Sequence, residues 1–267
     1  MKINGSKNDR ALFASKIIKA GALLPDTRIL LGHWNVELST KENLDQISQG
    51  NYFGKASRSR VSDILAIFKQ RYLGDNHVTK ALVCLVHEHV PAQTLDRILY
   101  FHSARADSLI RQVVLDVLIP LHRQGIFSIE HSDVERQIDR WVSQGLTTSP
   151  WGEYTIHRVA QGILATLRDF GVLNGVVNKR IAPAYLPTEA FAYICFFLKL
   201  EQPSGIKLIE LPDWQLFFLS PTAVERFLLE AHQEGILDYH AAGAVTRLSF
   251  PVKTLEEYAH VLARRTH

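Results

Sequence analysis

Between residues 54 and 73 the apolar positions fall on one stripe. Val61, Ile64, Leu65, Phe68 and Tyr72 stand at i, i+3, i+4, i+7 and i+11, the spacing of a helix that buries a single face. The other face carries Arg58, Ser59, Ser62 and Lys69, with Lys55 just upstream and Arg60 and Arg71 on the flanks. Ser57 or Ser59 can cap the first turn, because a serine oxygen accepts a bond from an otherwise unpaired amide. The pattern predicts a capped helix whose front end presents cations and hydroxyls. Exposed amides and the positive end of the helix dipole make such an end attractive to phosphate.

The pattern elsewhere is also mostly helical. Residues 9 to 22 read as a first helix, with Leu12, Phe13, Ile17 and Ala20 inward, and Pro25 opens a second through about Leu31. Ser39 and Glu42 have capping-box spacing and predict a third helix to about Gln49. Four helices ending in a basic one suggest a helix-turn-helix-like domain over 1–75. Helices follow over 78–89 and 92–104. A longer one over 106–124 has Leu109, Val113, Val117 and Leu121 at a spacing of four, and Pro120 should bend its last turn. Ser132 and Glu135 predict a capped start for a helix over 132–144. A helix over 155–170 leads to β-branched residues around Asn174-Gly175, a hairpin signal. Residues 221–233 again read as a helix, before strands at 235–240 and 245–250. A helix followed by a two-stranded ribbon is how a winged helix ends. The fold expected is mainly α, with winged-helix-like units near 126–186 and 187–267. The domain bounds expected are 1–75, 76–186 and 187–267.

Composition agrees with an ordered chain, since 46% of its 267 residues are apolar and 21% charged. Charge changes the picture more. Residues 1 to 73 hold twelve Lys and Arg against six Asp and Glu, while the remainder is slightly acidic. That asymmetry is expected if one end meets a polyanion. Cys84 and Cys195 each sit in an apolar run and read as buried small hydrophobes in a reducing compartment. The N-terminus lacks the apolar stretch of a signal peptide, and the run from Ala190 to Leu198 is too short to span a bilayer. A cytoplasmic protein without a membrane partner is expected.

Motifs for chemistry are few. There is no Walker-type loop, no Gly-x-Gly-x-x-Gly after a strand, and no His-Glu-x-x-His. His87 and His89 stand about 200° apart on a helix and cannot share one metal from one face. His33, His122 and His157 are scattered, the carboxylates are dispersed, and no nucleophile stands out. An enzyme is not expected, nor a metal, a cofactor or a small-molecule substrate. What remains is the basic helix. Lys55, Ser57, Arg58, Ser59, Arg60, Lys69 and Arg71 are its candidate DNA-binding residues, with Lys179 and Arg180 on the first hairpin as a possible secondary contact. The few aromatic residues nearby, Tyr52 and Phe53, give little support to single-stranded RNA binding.

Four segments resemble one known family. Gly21-Ala22-Leu23-Leu24-Pro25-Asp26-Thr27, Glu42-Asn43-Leu44, and Gly54 to Arg60 with Gln70-Arg71-Tyr72-Leu73 are similar to the N-terminal region of the BrxA family of BREX bacteriophage-exclusion systems. The resemblance covers about the first seventy-five residues. It implies a non-enzymatic, mostly helical, DNA-binding accessory protein working beside other BREX proteins that carry the catalysis. Double-stranded DNA, bound largely through phosphates, is the expected partner. The alternative is a helical adaptor that docks an acidic protein within the same complex and has no DNA binding of its own.

Overall fold

The computed structural model describes residues 13–19, 21–50, 52–54, 57–242 and 245–265. Its helices are α1 (Leu24–Gly32), α2 (Thr40–Gln49), α3 (Arg58–Tyr72), α4 (Asn76–His87), α5 (Ala92–Ala106), α6 (Ser108–Val113), α7 (Ile119–Arg123), α8 (His131–Ser143), α9 (Glu153–Asp169), α10 (Thr188–Glu201), α11 (Gly205–Ile209), α12 (Pro221–Gln233) and α13 (Leu255–Arg265). Strands β1 (Ser128–Ile129), β2 (Leu173–Asn174) and β3 (Lys179–Ile181) form a sheet in the order β1-β3-β2, antiparallel throughout. Strands β4 (Asp238–Ala242) and β5 (Val245–Ser249) make a separate antiparallel ribbon. The fold is mainly α, as the periodicity predicts. Among the described residues no helix is long and apolar enough to cross a membrane.

The core is built on two helices buried all round. In α5 every residue from Ile98 to Ala104 is buried, and in α10 every residue from Ala190 to Phe196. A helix with no solvent face must be enclosed by others. Thus α5 packs against α3, α6 and α10, while α10 packs against α5, α11, α12 and α13. Apolar packing is continuous from Phe13 to Ala263.

Several local expectations hold, and the differences have identifiable causes. Ser39 and Glu42 form the reciprocal capping box at α2. The hairpin turns at Gly175, whose φ of +87° places its α-carbon where a Cβ would lie 2.0 Å from the Asn178 carbonyl oxygen. Only glycine fits there. The helix expected over 9–22 is corrected. In its described part there is only a 3₁₀ turn, Ser15–Ile18, because Phe13 is extended and exchanges backbone bonds with Leu146 and Thr148. The rest of that expectation, residues 9–12 and 20, lies outside the described residues. Gly162 lets this turn approach α9: a Cβ there would sit 3.1 Å from the Ile17 carbonyl oxygen.

Between α6 and α7 the helix widens to a π turn, Val114–Leu118, in which Ile119 N–H donates to Val114 O. Pro120 follows at once, and its ring would crowd the carbonyl four residues back in a regular helix. The cap of α8 also differs. Glu130 and Asp133 form the box, two residues before the expected Ser132 and Glu135, which leaves Glu135 free for other partners.

His102 is buried between α5 and α10, with Nε2 3.1 Å from the Tyr193 hydroxyl. Burial first, and the Arg105 charge second, push its imidazole from 6.5 down to about 3. Below pH 6.5 the unfolded chain therefore takes up a proton that the folded chain refuses. Stability is expected to fall as pH drops through that window, by about 2 kcal/mol between pH 7 and pH 5. Urea midpoints at the two pH values measure it, and His102→Gln should remove most of the difference.

Candidate nucleic-acid interface

The front of α3 is shaped by its sequence. Gly54, at φ +58°, turns the chain, and the Ser57 Oγ accepts from the Arg60 amide at 3.4 Å as the cap. Val61, Ile64, Phe68 and Tyr72 are buried, as is Ile67, while Leu65 is half-buried. This stripe fixes the outward face: Ser57, Arg58, Ser59, Ser62 and Lys69 are exposed. Lys55 lies outside the described residues.

The flanking arginines turn back into the protein. Arg60 donates through Nη1 to the Lys19 carbonyl oxygen. Arg71 is 5% exposed, and its Nη1 donates to the carbonyls of Gly21 at 2.9 Å and Ala22 at 3.2 Å. The expectation that Arg71 extends a DNA footprint is thus corrected: a guanidinium sealed under the 21–22 segment cannot reach a phosphate. Asp63, the lone acid between Gly54 and Leu73, has its Oδ1 3.4 Å from the Lys19 Nζ.

Two cations missed from the sequence adjoin this face. Lys16 and Lys19 line a groove of about 340 Å³ together with Ile18, Asp63, Ile67 and Gln70. Both are exposed. The available signal was two lysines three residues apart, flanking Ile17 and Ile18.

A second surface is formed by α8, α9 and the three-stranded sheet. Along α9, Tyr154, His157, Arg158 and Gln161 are exposed. Arg180 projects from β3 into solvent, while Lys179 is half-buried and its Nζ donates to the Val176 carbonyl at 2.9 Å. At the hairpin tip Val176 is 73% and Val177 87% exposed. Where α8 meets α9, Glu135 Oε1 lies 3.1 Å from His131 Nδ1 and 2.8 Å from His157 Nδ1. The scattered histidines are not brought together as a trio. His33 stacks on Tyr52, His122 packs near Phe127 and Phe218, and His157 belongs with Glu135 and His131.

These positions separate anchoring from exposed cations, which stability measurements can check. Arg71→Ala leaves two carbonyls without their charged donor and is expected to lower unfolding free energy by about 2–3 kcal/mol. Arg58→Ala, on the open face, should change it by no more than about 0.5 kcal/mol. Chemical denaturation of both variants tests the contrast.

Compared with known proteins, the chain matches the model of the BrxA family over residues 11–196. The matched segment runs from before the 3₁₀ turn into α10, so α11, α12, the β4–β5 ribbon and α13 follow it. No curated protein matches the chain.

Proposed function

We propose, for a chain that belongs to the BrxA family and is therefore a BREX phage-defence protein, a non-catalytic role in binding duplex DNA through its phosphates. The observation that carries the reading is the order of elements from 108 to 181. A long helix, a short strand, two helices and a hairpin follow one another, and the strands pair in the order β1-β3-β2. A winged helix uses that order, with the second of the paired helices facing the groove. Here that helix is α9, whose open side carries Tyr154, His157, Arg158 and Gln161, and the hairpin beside it brings Arg180 and Lys179.

The front of α3 supports the same reading from another side. Arg58 and Lys69 are free to neutralise phosphates, Ser57 and Ser59 can donate to phosphate oxygens, and Lys16 and Lys19 stand next to them. Arg60 is half-buried. Lys55 belongs to the proposal by its place in the sequence.

A second reading, the helical adaptor, is favoured by the two bare valines at the hairpin tip and by the inward turn of Arg60 and Arg71. An apolar tip suits a protein groove better than a phosphate backbone.

Fluorescence anisotropy with duplex DNA over a range of salt concentrations distinguishes the two. Each phosphate neutralised contributes roughly −0.9 to the slope of log affinity against log salt. The double variants Arg158→Ala/Arg180→Ala and Arg58→Ala/Lys69→Ala are each expected to flatten the slope by about one to two. Wild-type protein that fails to retain duplex at moderate salt, yet co-purifies with another BREX subunit, would establish the adaptor instead.

A further inference from the structure

Among the described residues, two clusters gather metal-ligating atoms within 4.8 Å of one another: His131, Glu135 and His157, the last on the open side of α9, and Cys84, Glu88 and His260. The first is disfavoured by its own hydrogen bonding. His131 Nε2 is buried with no partner. A metal on Nδ1 would force the ring proton onto that nitrogen and leave a buried donor unsatisfied, whereas metal-bound histidines hold the second nitrogen to an acceptor.

The second cluster has no such conflict. Cys84 lies in the last turn of α4, and Glu88, the residue that ends the helix, stands one turn further on the same side. His260 comes from α13, the helix packed along α4, and its Nδ1 already meets Glu88 Oε1. Cys84 is 7% exposed, while Glu88 and His260 are partly open to water. An ion and a completing water can therefore enter from the solvent side, and the second nitrogen of His260 can bond to water.

We propose that Cys84, Glu88 and His260 bind one zinc ion, fastening α13 to α4. A thiolate, an imidazole and a carboxylate are the donors zinc prefers, while a single carboxylate is too little for magnesium or calcium. The charges close. One thiolate and one carboxylate balance a divalent cation, so no net charge is placed at the helix interface.

Without an ion the Cys84 thiol is held neutral, pushed up to about 12 by burial and then by the Glu88 and Glu256 carboxylates, against Arg264. Binding displaces that proton: the S–H bond breaks, sulfur keeps the electron pair and donates it to zinc, and the proton leaves to solvent. Affinity should accordingly rise with pH.

Cobalt titration of chelator-treated full-length protein tests the site, because cobalt takes zinc's place and a thiolate ligand adds a sulfur-to-metal charge-transfer band. One equivalent is expected to produce the band, and zinc to displace it. Zinc at about 100 times its dissociation constant should also raise the melting temperature by roughly 5 °C. Cys84→Ala should abolish the band, and His260→Ala should weaken cobalt binding at least tenfold while keeping the sulfur. If Cys84→Ala does not fold, His260→Ala still decides, since His260 is partly exposed. Absence of the band in the wild type, its survival in Cys84→Ala, or unchanged affinity in His260→Ala would each overturn the proposal.

Discussion

The seven-residue stretches of α5 and α10 that see no water dictate most of this architecture. Each buries side chains around the whole helix, so every direction needs a neighbour, and polar groups that enter must find partners inside. They do. The Tyr72 hydroxyl meets Ser103 Oγ at 2.7 Å, Tyr100 donates to the Leu216 carbonyl at 3.1 Å, and His102 meets Tyr193. Where α5 reaches the surface, Arg105 pairs with Asp213 and Glu201, each at 2.9 Å, and lies over the rings of Phe101 and Phe197. Arg111 shares Asp213 at 3.1 Å. The polar contacts thus join α5, α6, α10 and the 212–217 turn at their rim, while apolar packing joins them at the centre.

The outer elements are referred to this pair. Helix α3 packs on α5. Arg97 of α5 donates to the carbonyls of Phe170 and Gly171 at 2.9 and 3.1 Å, capping the C-terminal end of α9 with a cation where the helix dipole favours one. Both candidate DNA surfaces therefore take their position from one buried helix.

What could be read from the sequence follows how local its cause is. The α3 stripe, the Ser39 box and the Gly175 turn depend on residues within a turn or two, and their periodicity or chemistry announces them. The fate of Phe13 depends on carbonyl and amide groups at 146 and 148, which no window around Phe13 contains. Strand β1 has two residues, too few for alternation to register. At α8, Glu130-x-x-Asp133 and Ser132-x-x-Glu135 carry the same spacing two residues apart, so pattern alone could not rank them. The candidate site divides the same way. Exposure of Arg58, Ser59 and Lys69 follows from the helical period. The burial of Arg71 does not, because its acceptors come from residues 21 and 22, on the far side of α1 and α2.

The two surfaces offer little free charge. At the front of α3, Asp63 offsets Lys19 and Arg60 is partly committed, so the uncommitted cations are few. On the α8–α9 surface the groove beside Tyr154 and His157 is lined by the acids Glu135, Asp139 and Glu153 against one cation, Arg136. Neither surface alone supplies the steep salt dependence of a tight DNA binder. Because both are held to α5, contact with one duplex would be bivalent at a fixed separation, and the second contact would form at a high effective concentration only if the duplex spans both. Salt slopes measured for duplexes of increasing length are then expected to rise in a single step, at the length that first reaches both surfaces. A slope that grows smoothly with length would instead mean that the two surfaces do not act on the same molecule of DNA.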